Sequence, residues 1–187
     1  MVEAMIDETA LGRYGLAFRI VEALNMLPLI VARSAIYPRL SRLFEHDEGY
    51  EFARLTRLGS LGLAGASLVI TTGIFFAAPL IIRLIDPSPS IAPAIPALQI
   101  LCWTFPLTCL RNLMYVALIS MEQQNFLAKT LGGAVAFNIA LNFVLIPYLG
   151  INGASLATVV SEAILLTIYF VRYRHEKNVH WSHTPAS

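Results

Sequence analysis

The sequence predicts an all-α fold: a polytopic transmembrane bundle of about five helices. Three observations carry this. The apolar fraction is 57% and the charged fraction 13%, where soluble domains run at about 45–50% and about 25%. Two uncharged runs, 58–82 and 130–161, are each long enough to cross a hydrocarbon core of about 30 Å at 1.5 Å per residue. Short polar or Pro/Gly-rich turns separate the apolar runs. A net charge of +1 gives no field that would steer nucleic acid, so no nucleic-acid partner is expected.

The first span, about 14–40, carries Arg19, Glu22 and Arg33. It reads as amphipathic or cavity-facing rather than lipid-facing. A long connection follows, with Arg39, Arg42, Arg54 and Arg57 around an acidic patch of Glu45, Asp47 and Glu48. The second span, 58–85, begins with an uncharged run of about 37 Å, and its Gly59, Gly62 and Gly65 are expected as packing contacts. Asp86-Pro87-Ser88-Pro89-Ser90 is a turn. The third span, 93–121, is interrupted by one charge, Arg111, five residues after Pro106. Proline there removes a backbone hydrogen bond and can kink the helix. Glu122-Gln123-Gln124-Asn125 is a polar turn. The run 130–161 is too long for one crossing, and Pro147-Tyr148-Leu149-Gly150-Ile151-Asn152-Gly153 splits it into spans 126–148 and 151–172. The bundle thus occupies 11–174, with 175–187 as a solvated cytoplasmic tail.

Cys102 and Cys109 are seven residues apart on one helix. Their Cα atoms would be roughly 10 Å apart, too far for a disulfide, so both read as small packing residues. His46, His175, His180 and His183 lie in polar stretches, and no metal cluster, cofactor motif or nucleotide motif is visible. The acidic start, with Glu3, Asp7 and Glu8, is wrong for a cleavable signal. Arg39, Arg42, Arg54, Arg57, Lys129, Arg172, Arg174 and Lys177 fall on one side, against Arg13 and Arg83 on the other. That asymmetry places the C-terminus in the cytoplasm and the N-terminus outside. Such a start leaves two readings: the orientation is reversed, or a preceding helix is missing.

Several stretches carry a family resemblance. Leu11-Gly12-Arg13-Tyr14-Gly15-Leu16-Ala17-Phe18-Arg19 resembles a G-x-Y-x-x-A-x-R helix start, and Pro38-Arg39-Leu40-Ser41 a P-x-L-S helix end. Asn138-Ile139-Ala140-Leu141-Asn142-Phe143-Val144-Leu145-Ile146-Pro147 reads N-x-x-L-N-x-x-L-I-P. It is followed by Gly150-Ile151-Asn152-Gly153-Ala154-Ser155-Leu156-Ala157-Thr158, which reads G-x-x-G-A-x-x-A-T. Together these are similar to the polysaccharide and oligosaccharide-lipid flippases of the multidrug/oligosaccharidyl-lipid/polysaccharide exporter superfamily. The resemblance covers nearly all of 11–174 and implies most of the second lobe of a two-lobed transporter. A first lobe or partner chain would then be required. Its implied cargo is a lipid-linked oligosaccharide with an anionic headgroup, moved across the cytoplasmic membrane by alternating access, without cofactor.

The residues also read without the family. Pro147 and Gly150 end a helix and allow a tight turn, while Gly153, Ala154, Ser155 and Thr158 form a small-residue face for close packing. Asn138 and Asn142 share a face, either for interhelical hydrogen bonds or to line a substrate cavity. Glu162 lies about 16 Å into the membrane, where an unpaired carboxylate costs at least about 2.5–3.5 kcal/mol. It is a candidate coupling site, or a neutral acid bonding another helix. Glu22 and Arg33, eleven residues apart, share a face with Arg19 beside them. They form either a cationic cavity wall for a pyrophosphate group or side chains snorkelling to the interfaces. Arg111 is the strongest intramembrane candidate, and an acid such as Glu162 can pair with it.

The leading function is flipping of lipid-linked oligosaccharide. The alternatives are a cation-coupled multidrug or organic-ion exporter, or a truncated remnant without transport of its own. A membrane enzyme acting on lipid-linked sugars would need clustered acids or histidines at a membrane edge. Glu45-His46-Asp47-Glu48 is the only such cluster, and it reads better as a solvated loop; no enzyme is expected.

Overall fold

The computed structural model describes residues 8–85, 87 and 92–181. The acidic start 1–7, most of the proline-rich turn (86 and 88–91) and the tail from 182, with His183, lie outside the described residues. Every regular element among those described is helical: α1 (Glu8–Val31), a π-helical stretch (Ala32–Ile36), α2 (Tyr37–Glu45), α3 (Gly49–Ile85), α4 (Ala94–Leu101), α5 (Thr104–Ser120), α6 (Gln124–Leu149) and α7 (Ile151–Trp181). Five helical stretches are long and apolar enough to cross a membrane: Phe18–Glu45, Gly49–Ile85, Ala94–Ser120, Gln124–Leu149 and Ile151–Trp181.

Proline explains two irregularities. Pro38, which opens α2, has no N–H for the carbonyl of Ser34. The ladder just before it shifts register, and the Tyr37 amide reaches back to the Ala32 carbonyl, giving the π stretch that carries Arg33. The expected bend at Pro106 falls a turn earlier, at Cys102–Trp103 between α4 and α5. The reason is that the missing proline N–H orphans the carbonyl four residues back. The Cys102 carbonyl instead accepts from the Phe105 amide at 3.1 Å and the Thr71 hydroxyl at 3.4 Å. Cys102 and Cys109 therefore do not share one straight helix; both are free and buried.

The α4–α5 span is the axis of the bundle. In its most apolar stretch 67% of residues are buried, against 11% for α6. It packs on α1, α2, α3 and α7, while α6 leans on α7. Leu113 and Leu118 of α5 meet Leu40, Phe52 and Tyr169 in the main core; Val21, Ala78, Ile82 and Leu98 form a second core. Outward, α3 exposes Val69, Phe76 and Leu84, and α6 exposes Phe143 and Tyr148. Apolar faces of that extent belong against lipid or another protein surface.

Glycines mark two of the close approaches. Gly150 turns α6 into α7 at φ +56°, and a Cβ at Gly153 would lie 2.5 Å from the Leu145 carbonyl oxygen. Gly59 faces Leu113, but Gly62 and Gly65 face open space, contrary to their expected packing role. The stretch 175–181, expected in a solvated tail, continues α7 as helix. Trp181 Nε1 donates to Asp47 Oδ1 at 2.7 Å, and the His180 ring stacks on Phe44 at 4.6 Å.

Candidate functional site

Arg111 projects from α5 towards α7, where its Nε donates to Glu162 Oε2 at 2.7 Å. Counting back from Ser120 and from Arg172, each residue lies about 14–15 Å from the same end of the bundle, which is mid-depth for a bilayer. The two side chains keep 19% and 24% of their exposure. The pair is thus largely withdrawn from solvent, with Glu162 at the wall of a cavity. A charge-assisted bond of this length offsets much of the cost of placing either ion in the membrane.

Around it runs a polar chain from α6. Asn142 Nδ2 donates to the Asn138 carbonyl at 2.9 Å and to Asn138 Oδ1 at 3.0 Å. Asn138 Nδ2 donates to Ser161 Oγ at 3.0 Å, and Ser161 Oγ to the Ala157 carbonyl at 2.7 Å. These groups line a groove of about 470 Å³ between α1 and α6, with α7 as its floor and Phe18 on the α1 rim. A smaller cavity of about 150 Å³ adjoins it, sharing Phe18, Thr158 and Glu162 and adding Glu22, Asn25 and Thr104. Asn25 Nδ2 donates to Thr104 Oγ1 at 3.4 Å. The buried Oδ1 atoms of Asn25 and Asn142 accept no hydrogen bond within the protein. An acceptor left so costs about 1–3 kcal/mol until a donor reaches it.

The profile of the MatE family matches residues 1–144. The chain belongs to the MatE family. No curated protein matches it. MatE family members are membrane transporters, and the five apolar helices place this one in the membrane as a multi-pass protein. The match contains Arg111, Asn138 and Asn142 and ends within α6, so this MatE chain's Glu162 and Ser161 lie beyond it.

Of the residues singled out in the sequence, the structure gathers Glu22, Arg111, Asn138, Asn142 and Glu162 around one groove and its side cavity. Arg33 stands apart from them, its guanidinium 5.9 Å from the centre of the Tyr115 ring, one turn along α5 from Arg111. Arg19 is exposed and lines neither cavity. Ser155, on the small-residue face of α7, is fully buried and bonds back to the Ile151 carbonyl. Ser161, Asn25 and Thr104 escaped the sequence reading. Asn25 sits three residues after Glu22 and could have been found as its neighbour on the same face.

Proposed function

We propose that the chain serves to flip a lipid-linked oligosaccharide with an anionic headgroup across the cytoplasmic membrane, by alternating access and together with a second lobe or partner chain. One observation carries this reading: a largely apolar groove at mid-depth, with Asn138, Asn142, Ser161 and Glu162 among its polar groups, lies between α1 and α6, which make little contact across it. A lipid-linked cargo must pass its headgroup through protein while its tail stays in the bilayer, and a gap between helices is what that requires. The guanidinium of Arg111 matches phosphate geometry. The Asn138 and Asn142 side chains that line the groove suit sugar hydroxyls. Within this reading Arg111, Asn138 and Asn142 bind, Glu22 shapes the side cavity, and Glu162 releases Arg111 as cargo arrives, while Arg19 and Arg33, outside the groove, attract the anion before it enters.

A cation-coupled multidrug or organic-ion exporter is the second reading. Its support is that Glu22 and Glu162 line one cavity. The deciding experiment expresses the chain, alone and with a first lobe, in cells lacking their own oligosaccharide-lipid flippase, and in cells lacking drug exporters. Restored surface polysaccharide that Arg111→Ala abolishes supports the first reading. Ethidium efflux without polysaccharide rescue supports the second, and failure of both identifies a remnant.

A further inference from the structure

A second groove lies where α3 begins and α7 ends. The two helices meet there through Phe52 against Tyr173 and Trp181, and α5 contributes Met114 to the lining between them. The groove holds about 720 Å³, and its walls bear Arg54 and Arg57 from α3 and Arg174 and Lys177 from α7, with no acid among the lining residues. Tyr173, which also lines it, is about 16 Å along α7 from Glu162, so the groove is separate from the site above.

Two of the four cations have partial partners. Arg54 meets Glu51 at 3.2 Å with both side chains about half exposed, and Arg174 lies 5.8 Å from the Phe170 ring centre. Arg57 and Lys177 form no ion pair with any described residue. Their depth is set by the sequence. Arg57 is the last charge before the uncharged run 58–82, and Lys177 follows Arg172 and Arg174 at the polar end of α7. The cations therefore stand at headgroup level. Leu58, Leu61 and Phe170, towards the apolar side, give the same groove a hydrocarbon wall. With only Arg54 paired to an acid, the cations around the groove repel one another, and a phosphate between them relieves that repulsion. Basic pockets between spanning helices select anionic headgroups for this reason.

We infer that this groove binds the phosphate of an anionic phospholipid of the surrounding bilayer, with Arg57 and Lys177 as its principal contacts and the acyl chains along Leu58, Leu61 and Phe170. The bound lipid bridges α3 and α7 alongside the contacts of Phe52 with Tyr173 and Trp181.

The test titrates the purified full chain, in neutral detergent micelles, with tail-labelled fluorescent phosphatidylglycerol and follows anisotropy. Each cation near the surface contributes about 1 kcal/mol, so Arg57→Gln or Lys177→Gln alone weakens binding about fivefold and the pair together about 30-fold. The control pair Arg42→Gln with Lys129→Gln, which removes the same charge from exposed positions outside the groove, changes affinity less than about threefold. The single variants carry the test if the double variant loses its helical circular dichroism. Equal losses in groove and control variants would mean diffuse attraction and overturn the site. So would tight binding of labelled phosphatidylcholine. Competition by soluble glycerol phosphate at lipid-like concentrations would assign the groove to a free phosphate ester and overturn the lipid.

Discussion

Glu162→Gln removes the carboxylate that Arg111 reaches at 2.7 Å. A hydrogen bond between ionised partners contributes about 1.5–3 kcal/mol, and breaking a fully buried pair costs about 3–5 kcal/mol because one charge is stranded. Here the side chains remain 19% and 24% exposed, which moves the expectation to the lower figure, about 2 kcal/mol. Arg111→Gln should cost a similar amount, since Glu162 is then the stranded charge. The double variant strands nothing, so it should lie near either single variant, with a coupling energy of about 1.5 kcal/mol. The assay is reversible unfolding of all four forms in mixed micelles at one lipid-to-detergent ratio, followed by helical circular dichroism. Singles that add to within about 0.5 kcal/mol in the double variant would refute the pair as an energetic unit, and with it the idea that cargo is bound by releasing Arg111.

Three further outcomes follow from the packing. Gly153→Ala should destabilise the α6–α7 hairpin by about 1–3 kcal/mol, because its Cβ would strike the Leu145 carbonyl, whereas Gly62→Ala, facing open space, should be neutral or slightly stabilising in the same unfolding assay. Asn138→Ala breaks the chain between Asn142 and Ser161; at about 0.6 kcal/mol for a typical intramembrane hydrogen bond, it should leave the melting curve nearly unchanged while lowering polysaccharide rescue. Trp181→Ala removes the ring set 5.1 Å from Phe52 and the bond to Asp47; hydrogen exchange should rise across 174–181 and stay level across 151–165.

The spans and the α6–α7 turn were legible because each rests on local chemistry. Uncharged runs must cross or bury, and Pro147 with Gly150 stops one helix and starts the next. The Arg111–Glu162 pair was legible only as a possibility. Two acids, Glu22 and Glu162, lie within spans, and no periodicity in one helix says which helix faces it. The end of α7 was illegible for the same reason: His175, His180 and their neighbours are polar, and what holds the helix to Trp181 is an aspartate 134 residues away. Gly62 and Gly65 misled because a small residue marks a contact only where another helix stands opposite. Pro106 was read correctly as a breaker and placed a turn late, since its effect is felt at the carbonyl it leaves bare.

The same pairing supplies a way to separate the two functional readings by sign. The site holds two carboxylates, Glu22 and Glu162, and one guanidinium, Arg111. An anionic headgroup must compete with Glu162 for Arg111, so Glu162→Gln frees the guanidinium and should tighten binding of a lipid diphosphate more than tenfold, even if turnover falls. An organic cation gains from the carboxylates instead, so the same substitution should weaken tetraphenylphosphonium binding, and Arg111→Gln should strengthen it by leaving Glu162 uncompensated. Removing an ionised partner at this depth is worth about 1.5–3 kcal/mol, so each change should exceed tenfold where the ligand takes the vacated role. Equilibrium binding of both ligands to the three forms in one detergent gives four signed shifts. Opposite signs for the two ligands make the pair the selectivity element. Equal signs place the substrate elsewhere in the bundle and leave Arg111 and Glu162 as a strut between α5 and α7.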